Sequence, residues 1–243
     1  MKISELFYSI QGEGKRTGRP SFFIRTNFCN LRCKFPSGNL CDTPYTSWNP
    51  DNQENKGDVG IGAITEEYKK HRCHDVVITG GEPTMYSEEL LELCKKLKEI
   101  NPDVYITVET NGTNLGKFIE HVHLMSVSPK LSSSVPYNTE YEKMHEQNRY
   151  NEKVLKIINE YHKKGLVDVQ WKFVYTGSKD IKEIKEMMET IGFKHKDIFL
   201  MPEGISNLDL ERLRVKTIEA CKDNNFNYSD RLHIVAWGHR RGV

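Results

Sequence analysis

The feature that most constrains this 243-residue chain is an alternation of strand-like and helix-like segments from end to end. After a strand-like N-terminal stretch, "PSFFIRTNF" (20–28) reads as a buried strand. Residues 42–61 are polar and rich in Asn, Asp, Gly and Pro, which predicts a loop. A short helix is expected over 65–72 and a β-branched strand over 75–79. In 87–100, Leu90, Leu93, Cys94 and Leu97 recur at helical spacing behind an acidic first turn, so this segment is an amphipathic helix. Strands follow over 103–110 and 122–130, then a polar stretch, 131–150, read as a long loop. Helices are expected over 151–165, 178–192 and 207–223, the first two closed by glycine. Strands are expected over 167–177, 197–204 and, last, 231–238.

Such alternation implies a mostly parallel sheet with right-handed crossovers. Six or seven βα units are too few for a closed eight-stranded barrel, leaving an open partial barrel or a doubly wound sheet. In both, function collects at the C-terminal ends of the strands. With 37% hydrophobic and 28% charged residues, 1–243 reads as one domain that needs no disulfide staples. The net charge of +1 gives no general attraction to nucleic acid or membrane, and no apolar run approaches a membrane span. "MKISELFYSI" lacks the apolar core and cleavage site of a signal peptide, so a cytoplasmic protein is expected. Six cysteines in such a chain point to ligands or buried thiols. Cys73, Cys94 and Cys221 are scattered and read as core residues.

The other three cysteines are clustered at 29, 33 and 41, directly after the 20–28 strand. Thiolates bind zinc or iron–sulfur clusters. A structural zinc needs a fourth ligand, for which His71 or His74 is available; a four-iron cluster on three cysteines leaves one iron open to a small molecule. Spacing alone leaves cluster, zinc and no metal open. The next strand ends in "TGGEP". Gly80 and Gly81 allow a backbone to approach a ligand closely, Glu82 offers a carboxylate to an amine, and Pro83 stiffens the exit. Taken singly, each candidate has a plain structural explanation. Arg25 could form a surface ion pair, Thr43 could open a turn before Pro44, "SIQGEG" could be a glycine hairpin, and Lys130 a solvated charge. The GxG of "SIQGEG" lacks the strand-to-helix context of a dinucleotide site.

A CxxxC pair with a third cysteine, followed by GGEP after the next strand, resembles the radical S-adenosylmethionine (SAM) superfamily. Within it, "YSIQGEGKRTGRPSFFIRTNFCNLRC", "CDTPYTSW", "ITGGEP", "VETNG", "SVSPK", "WKFV" and "MPEG" together resemble the 7-carboxy-7-deazaguanine synthases, in order and over most of the chain. The ending "HIVAWGHRRGV" adds a less specific likeness. The resemblance implies a six-stranded partial barrel, usually a homodimer. It implies a lyase that converts 6-carboxy-5,6,7,8-tetrahydropterin to 7-carboxy-7-deazaguanine with loss of ammonia, feeding queuosine-type nucleosides. The cofactors implied are a 4Fe–4S cluster, SAM and Mg²⁺, with a flavodoxin-type reductant. By resemblance, Cys29, Cys33 and Cys41 hold the cluster and Thr43 holds Mg²⁺. Leu40, Asp42, Gly80, Gly81, Glu82, Ser128, Pro129, Lys130 and Lys172 line the SAM site. Ile10, Gln11, Gly12, Arg25, Thr79 and Glu109 meet the pterin, Arg25 at its carboxylate.

Two departures stand out. The family commonly has two residues between the second and third cysteines, the second of them aromatic. Here "KFPSGNL" intervenes and Leu40 holds the aromatic's place. Pro36 and Gly38 suit an outward excursion, which would let Phe35 substitute for that ring. Two rival readings share parts of the pattern: a radical SAM activase of a glycyl-radical enzyme, and a zinc-stabilised binding module.

Overall fold

Six β-branched runs pair side by side, all in one direction. In a computed structural model describing residues 1–51 and 55–243, they are β2 (Pro20–Thr26), β4 (Asp75–Gly80), β5 (Tyr105–Thr110), β6 (Leu124–Val127), β7 (Asp168–Tyr175) and β8 (Ile198–Pro202). β1 (Lys2–Ile10) adds to β2 antiparallel, the two-residue β3 (Gly57–Asp58) adds to β1, and β9 (Asn227–Tyr228) extends β8 in parallel. The order among the described residues is β3-β1-β2-β4-β5-β6-β7-β8-β9. This is the expected mixed α/β sheet, an open barrel with six long parallel strands at its centre.

Crossover helices α2 (Ile61–Lys69), α3 (Ser87–Ile100), α5 (Glu152–Lys163), α6 (Ser178–Ile191) and α7 (Asn207–Asn224) connect the strands. Each has an apolar stripe that it buries. In α3 the stripe is Leu90, Leu93, Cys94 and Leu97, as its spacing requires. The central strands are buried nearly throughout because both their faces are covered. Cys73, Cys94 and Cys221 are buried in this core. No helix among the described residues is long and apolar enough to cross a membrane.

Three segments differ from expectation. The 231–238 run, expected as a last strand, is the helix α8 (Leu232–Trp237). Its β-branched "HIVAW" composition misleads, but Ile234 alone is buried. The helix starts on the Arg231 carbonyl, which accepts from Ile234 and Val235 N–H at 2.9 and 3.0 Å. The 131–150 stretch, read as loop, carries a 3-10 turn at Ser132–Ser134 and the helix α4 (Glu142–Asn148). The 42–61 loop contains the short helix α1 (Pro44–Ser47) and β3, and its residues 52–54 lie outside the described residues.

Because β1 runs antiparallel to β2, the chain leaves β1 at the N-terminal ends of the parallel strands. Residues 11–19 then cross the open side of the barrel. Gly14 N–H donates to Ser229 Oγ (2.8 Å) and Lys15 N–H to Gln170 Oε1 (2.7 Å), so the "QGEG" segment joins the β1 edge to β7 and β9. It closes the barrel from below.

Trp171 on β7 is fully buried and stacks on Phe193 with ring centroids 4.6 Å apart. Trp171→Ala should lower unfolding stability by about 3–5 kcal/mol through the cavity left behind, as read from urea denaturation midpoints.

Candidate active site

The cysteine loop begins where β2 ends. Phe28 takes a left-handed conformation (φ 69°), which turns the chain toward the end of β4. There the two segments interlock through their backbones. Gly81 N–H donates to Thr26 O (3.1 Å) and Glu82 N–H to Phe28 O (2.8 Å). A Cβ at Gly81 would sit 2.1 Å from Phe28 O, and one at Gly80 (φ 144°) would sit 2.3 Å from Thr26 O. Both positions are therefore restricted to glycine by contact with the chain leading to Cys29. The pair is thus required by the packing of the chain itself, whatever ligand approaches it.

Glu82 has a different place from the one expected. It is fully buried behind the cavity wall. Its carboxylate accepts from Thr84 N–H (3.1 Å), Thr84 Oγ1 (2.6 Å), Thr110 Oγ1 (2.7 Å) and Asn111 N–H (2.6 Å). These bonds tie the "GGEP" turn to the "ETNG" turn. Burial raises its pKa, and the Thr84 and Asn111 donors only partly offset this.

Cys29, Cys33 and Cys41 line one cavity at the C-terminal ends of the strands. None is in a disulfide. Burial pushes the Cys29 thiol up to about 12 and Cys41 to about 11, and raises Cys33 further. Thiols this reluctant to ionise are poor nucleophiles, and they become thiolates when a cation binds them. Leu31 N–H reaches Cys29 Sγ (3.4 Å), and Ser47 Oγ lies 3.0 Å from Cys41 Sγ. Such contacts tune cluster potentials. Among the described residues no three His, Cys, Asp or Glu side chains close on a single metal ion. Three thiols lining one cavity are a donor set that a four-iron cluster could use, one thiolate per iron. His71 and His74 cannot complete a zinc site. They precede β4, at the opposite end of the sheet, and His71 packs between Tyr8 and Phe22.

The "KFPSGNL" insert folds as a hairpin. Lys34 bridges Leu40 in antiparallel fashion, Phe35 N–H donates to Asn39 O (2.8 Å), and Cys41 N–H donates to Cys33 O (3.2 Å). The tip at Pro36–Gly38 points to solvent, while Phe35 and Leu40 remain in the cavity wall. Cys33 and Cys41 are thus brought together across the hairpin's base, despite seven intervening residues. Asn39 Nδ2 donates to Glu203 Oε1 (2.9 Å) and so ties the hairpin to the end of β8.

The remaining wall is polar and charged. Glu109 Oε1 accepts from Gln11 Nε2 (3.1 Å), and Oε2 accepts from Thr79 Oγ1 (2.9 Å). Glu13 is buried between Lys172 (2.5 Å) and Arg231 (3.1 Å), and Arg231 also pairs with Asp42 and donates to Gly204 O. Burial alone would raise the Glu13 carboxyl, but Lys172 and then Arg231 and His233 outweigh it and hold it far below the usual carboxylate range. The Lys172 ammonium is raised in turn, burial being outweighed by Glu13 and Glu109. Arg25 pairs with Glu5 through Nε (2.7 Å) while lining the cavity, so the pair belongs to the cavity wall and is not the surface ion pair that was the plain alternative. Glu5 also accepts from Tyr45 OH (2.8 Å) and Arg241 Nε (3.0 Å).

Every expected site residue other than Glu82 and Pro129 lines this cavity, Thr43 included. Pro129 faces a small neighbouring pocket. Ser128 accepts from Lys130 Nζ (2.9 Å), which turns the lysine inward rather than into solvent. Sequence reasoning missed Glu13, Arg231 and His233. Glu13 stood inside the quoted "SIQGEG", a charge between glycines, and the other two lay in the run taken for a strand.

A family profile described as the radical SAM superfamily matches residues 23–191. The 7-carboxy-7-deazaguanine synthase of Halobacterium salinarum is 35% identical, covering 98% of this chain and 90% of the relative. That of Rhodopirellula baltica is 34% identical, covering 99% and 88%. The crystal structure of QueE from Escherichia coli superposes with a TM-score of 0.63 at 24% identity, covering 96% of this chain and 94% of the other, a likeness of fold.

Glu13→Gln should leave Lys172 and Arg231 without their buried counter-charge and cost about 3–5 kcal/mol at neutral pH. The Glu13 pKa is depressed on folding, so its contribution is complete above the ordinary value of 4.5 and is lost as pH falls toward the folded value. The stability gap between wild type and variant should therefore be constant near neutrality and narrow below about pH 4.5, measured by urea denaturation across pH.

Proposed function

This chain belongs to the radical SAM superfamily and, within it, to the 7-carboxy-7-deazaguanine synthases, and from that membership and its cavity we infer its reaction. It is a lyase that converts 6-carboxy-5,6,7,8-tetrahydropterin to 7-carboxy-7-deazaguanine with release of ammonia, in 7-deazapurine biosynthesis. A 4Fe–4S cluster and SAM are its cofactors. One observation carries the reading: a single cavity is lined both by three free thiols, Cys33 buried and Cys29 and Cys41 partly so, and by a prearranged polar wall.

Cys29, Cys33 and Cys41 would hold the cluster. Gly80, Gly81, Ser128, Lys130, Leu40, Asp42 and Lys172 would bound the SAM site, with Glu82 bracing it from behind and Pro129 shaping the adjoining loop. Together the cluster and SAM supply one-electron chemistry that starts with abstraction of a hydrogen from the substrate. The protein's own part is orientation and shielding. Arg25 keeps its charge: Tyr45, Glu5, Asp42 and Glu109 outweigh the effect of burial. With Nε engaged by Glu5, it presents its terminal nitrogens to the pterin carboxylate. Gln11 and Thr79 both donate to Glu109, which fixes that carboxylate to accept from pterin N–H groups. Ile10 and Gly12 shape the floor beneath the ring. Thr43 offers Mg²⁺ a hard oxygen ligand beside the cluster loop.

A one-electron reductant such as flavodoxin and a homodimeric assembly complete the proposal and rest on the family resemblance. A reducing, cytoplasmic setting suits the six free thiols. A glycyl-radical activase would have no use for the Gln11–Glu109–Thr79 wall.

The test is anaerobic reconstitution with iron and sulfide, then incubation with SAM, Mg²⁺, a reductant and the carboxytetrahydropterin. The expected products are 7-carboxy-7-deazaguanine, identified by mass, and one equivalent of ammonia. Cleavage of SAM with the pterin left intact would sink the reading. Arg25→Gln should lower kcat/KM for the pterin by about 10²-fold, through loss of a charge-assisted pair worth about 2–3 kcal/mol, while SAM binding persists.

A further inference from the structure

The 131–148 segment carries no expected ligand beyond its neighbour Lys130, yet it grips the cluster loop on both sides of Cys33. Lys34 N–H donates to Ser134 O (3.0 Å) and Arg32 N–H donates to His145 Nδ1 (3.1 Å). The Cys33 carbonyl itself accepts from Trp48 Nε1 (3.1 Å). His145 is fully buried. Its other nitrogen, Nε2, lies 3.0 Å from Ser134 Oγ, and that hydroxyl donates to Leu131 O (2.7 Å).

The hydrogens of this chain of bonds are determined. Arg32 N–H can only donate, so His145 Nδ1 accepts. Ser134 spends its proton on Leu131, so it must accept from His145 Nε2–H. A neutral imidazole with its proton on Nε2 is the one form that satisfies both ends. Burial, with help from Lys130 and Arg149, lowers the His145 pKa to about 4, which keeps that form across the working pH range. Tyr141, at the start of α4, adds a second brace. Its ring meets Trp48 edge-on at 5.4 Å, and the Arg32 guanidinium lies 5.4 Å from its centroid.

We propose that His145 is a positioning residue for the iron–sulfur site, holding Cys33 in place through the Arg32 amide and joining the cluster loop to the "SPK" loop through Ser134 and Leu131. The inference rests on the reading of Cys33 as a cluster ligand. It explains why a polar stretch with little periodicity folds onto the site at all: the Ser134 carbonyl and the His145 side chain complete the backbone bonding of a loop that has no helix or strand of its own between Cys29 and Cys33.

The test compares His145→Phe, His145→Asn and Ser134→Ala with wild type as anaerobically reconstituted enzymes. His145→Phe keeps the ring volume and removes both bonds. Amide hydrogen exchange at Arg32 should accelerate by several-fold to about tenfold, the effect of one lost hydrogen bond. The reduced-cluster EPR signal and its change on adding SAM should both alter, and KM for SAM should rise more than kcat falls. His145→Asn, whose Oδ1 can stand in for Nδ1, should restore slow exchange. Ser134→Ala removes one hydroxyl and leaves the packing in place, so it should move the same signals in the same direction. Wild-type exchange and EPR behaviour in Ser134→Ala overturns the proposal even where His145→Phe fails to fold, and wild-type behaviour in His145→Phe does so by itself. Cys33→Ala tests the ligand reading separately. Unchanged iron content there would remove that reading, while exchange at Arg32 would still report on His145.

Discussion

The buried charge network centred on Glu13 is the interaction on which the rest of the architecture depends. Its members come from the segment after β1 (Glu13), the cluster loop (Asp42), β7 (Lys172) and the start of α8 (Arg231). A buried carboxylate is costly unless paired and hydrogen-bonded, and the same is true of each cation. Glu13 has its partners only once the 11–19 segment crosses the open side of the barrel and Arg231, at the start of α8, docks against it. The network therefore stabilises little as an isolated pair, but it makes alternative dockings of these segments expensive. It also forms one wall of the cavity, so folding and the shape of the site are coupled.

At the other end, the interlock of Phe28 with Gly80 and Gly81 sets where the cysteines start. Two backbone hydrogen bonds and two glycines bring the chain of β2 within contact of β4, at a distance no side chain would allow. From there the loop is held by its surroundings and not by secondary structure: Trp48 on the Cys33 carbonyl, Ser134 and His145 on its flanking amides, and Asn39 on Glu203. The hairpin converts an unusually long gap into a short through-space one. Cys33 and Cys41 therefore line the same cavity despite the atypical spacing, and Phe35 stays in the wall beside Leu40.

Much of this was legible in the chain itself, for local reasons. Helical spacing in 87–100 predicted α3 to the residue, and Cys94 packs where that periodicity put it. Other features escaped because their causes are distant. "HIVAW" reads as a strand on composition, but Arg231 is drawn into the network by Glu13, 218 residues away, and a helix starts from its carbonyl. Glu82 looked like a ligand because it follows two glycines, whereas Thr110 and Asn111 had already claimed its carboxylate. His145 lay in a stretch without periodicity, and nothing local marks a histidine whose partner is an amide 113 residues earlier.

The order of strands and helices, the clustering of three thiols after one strand and the glycine pair after the next are properties of the sequence alone, because periodicity, turn chemistry and ligand type act between near neighbours. What only the tertiary structure decided is which polar groups satisfy one another. Buried charges and amides choose partners by proximity in space. That choice turned Glu82 into a brace and Glu13 into the centre of a network, and it placed a neutral histidine behind a cysteine.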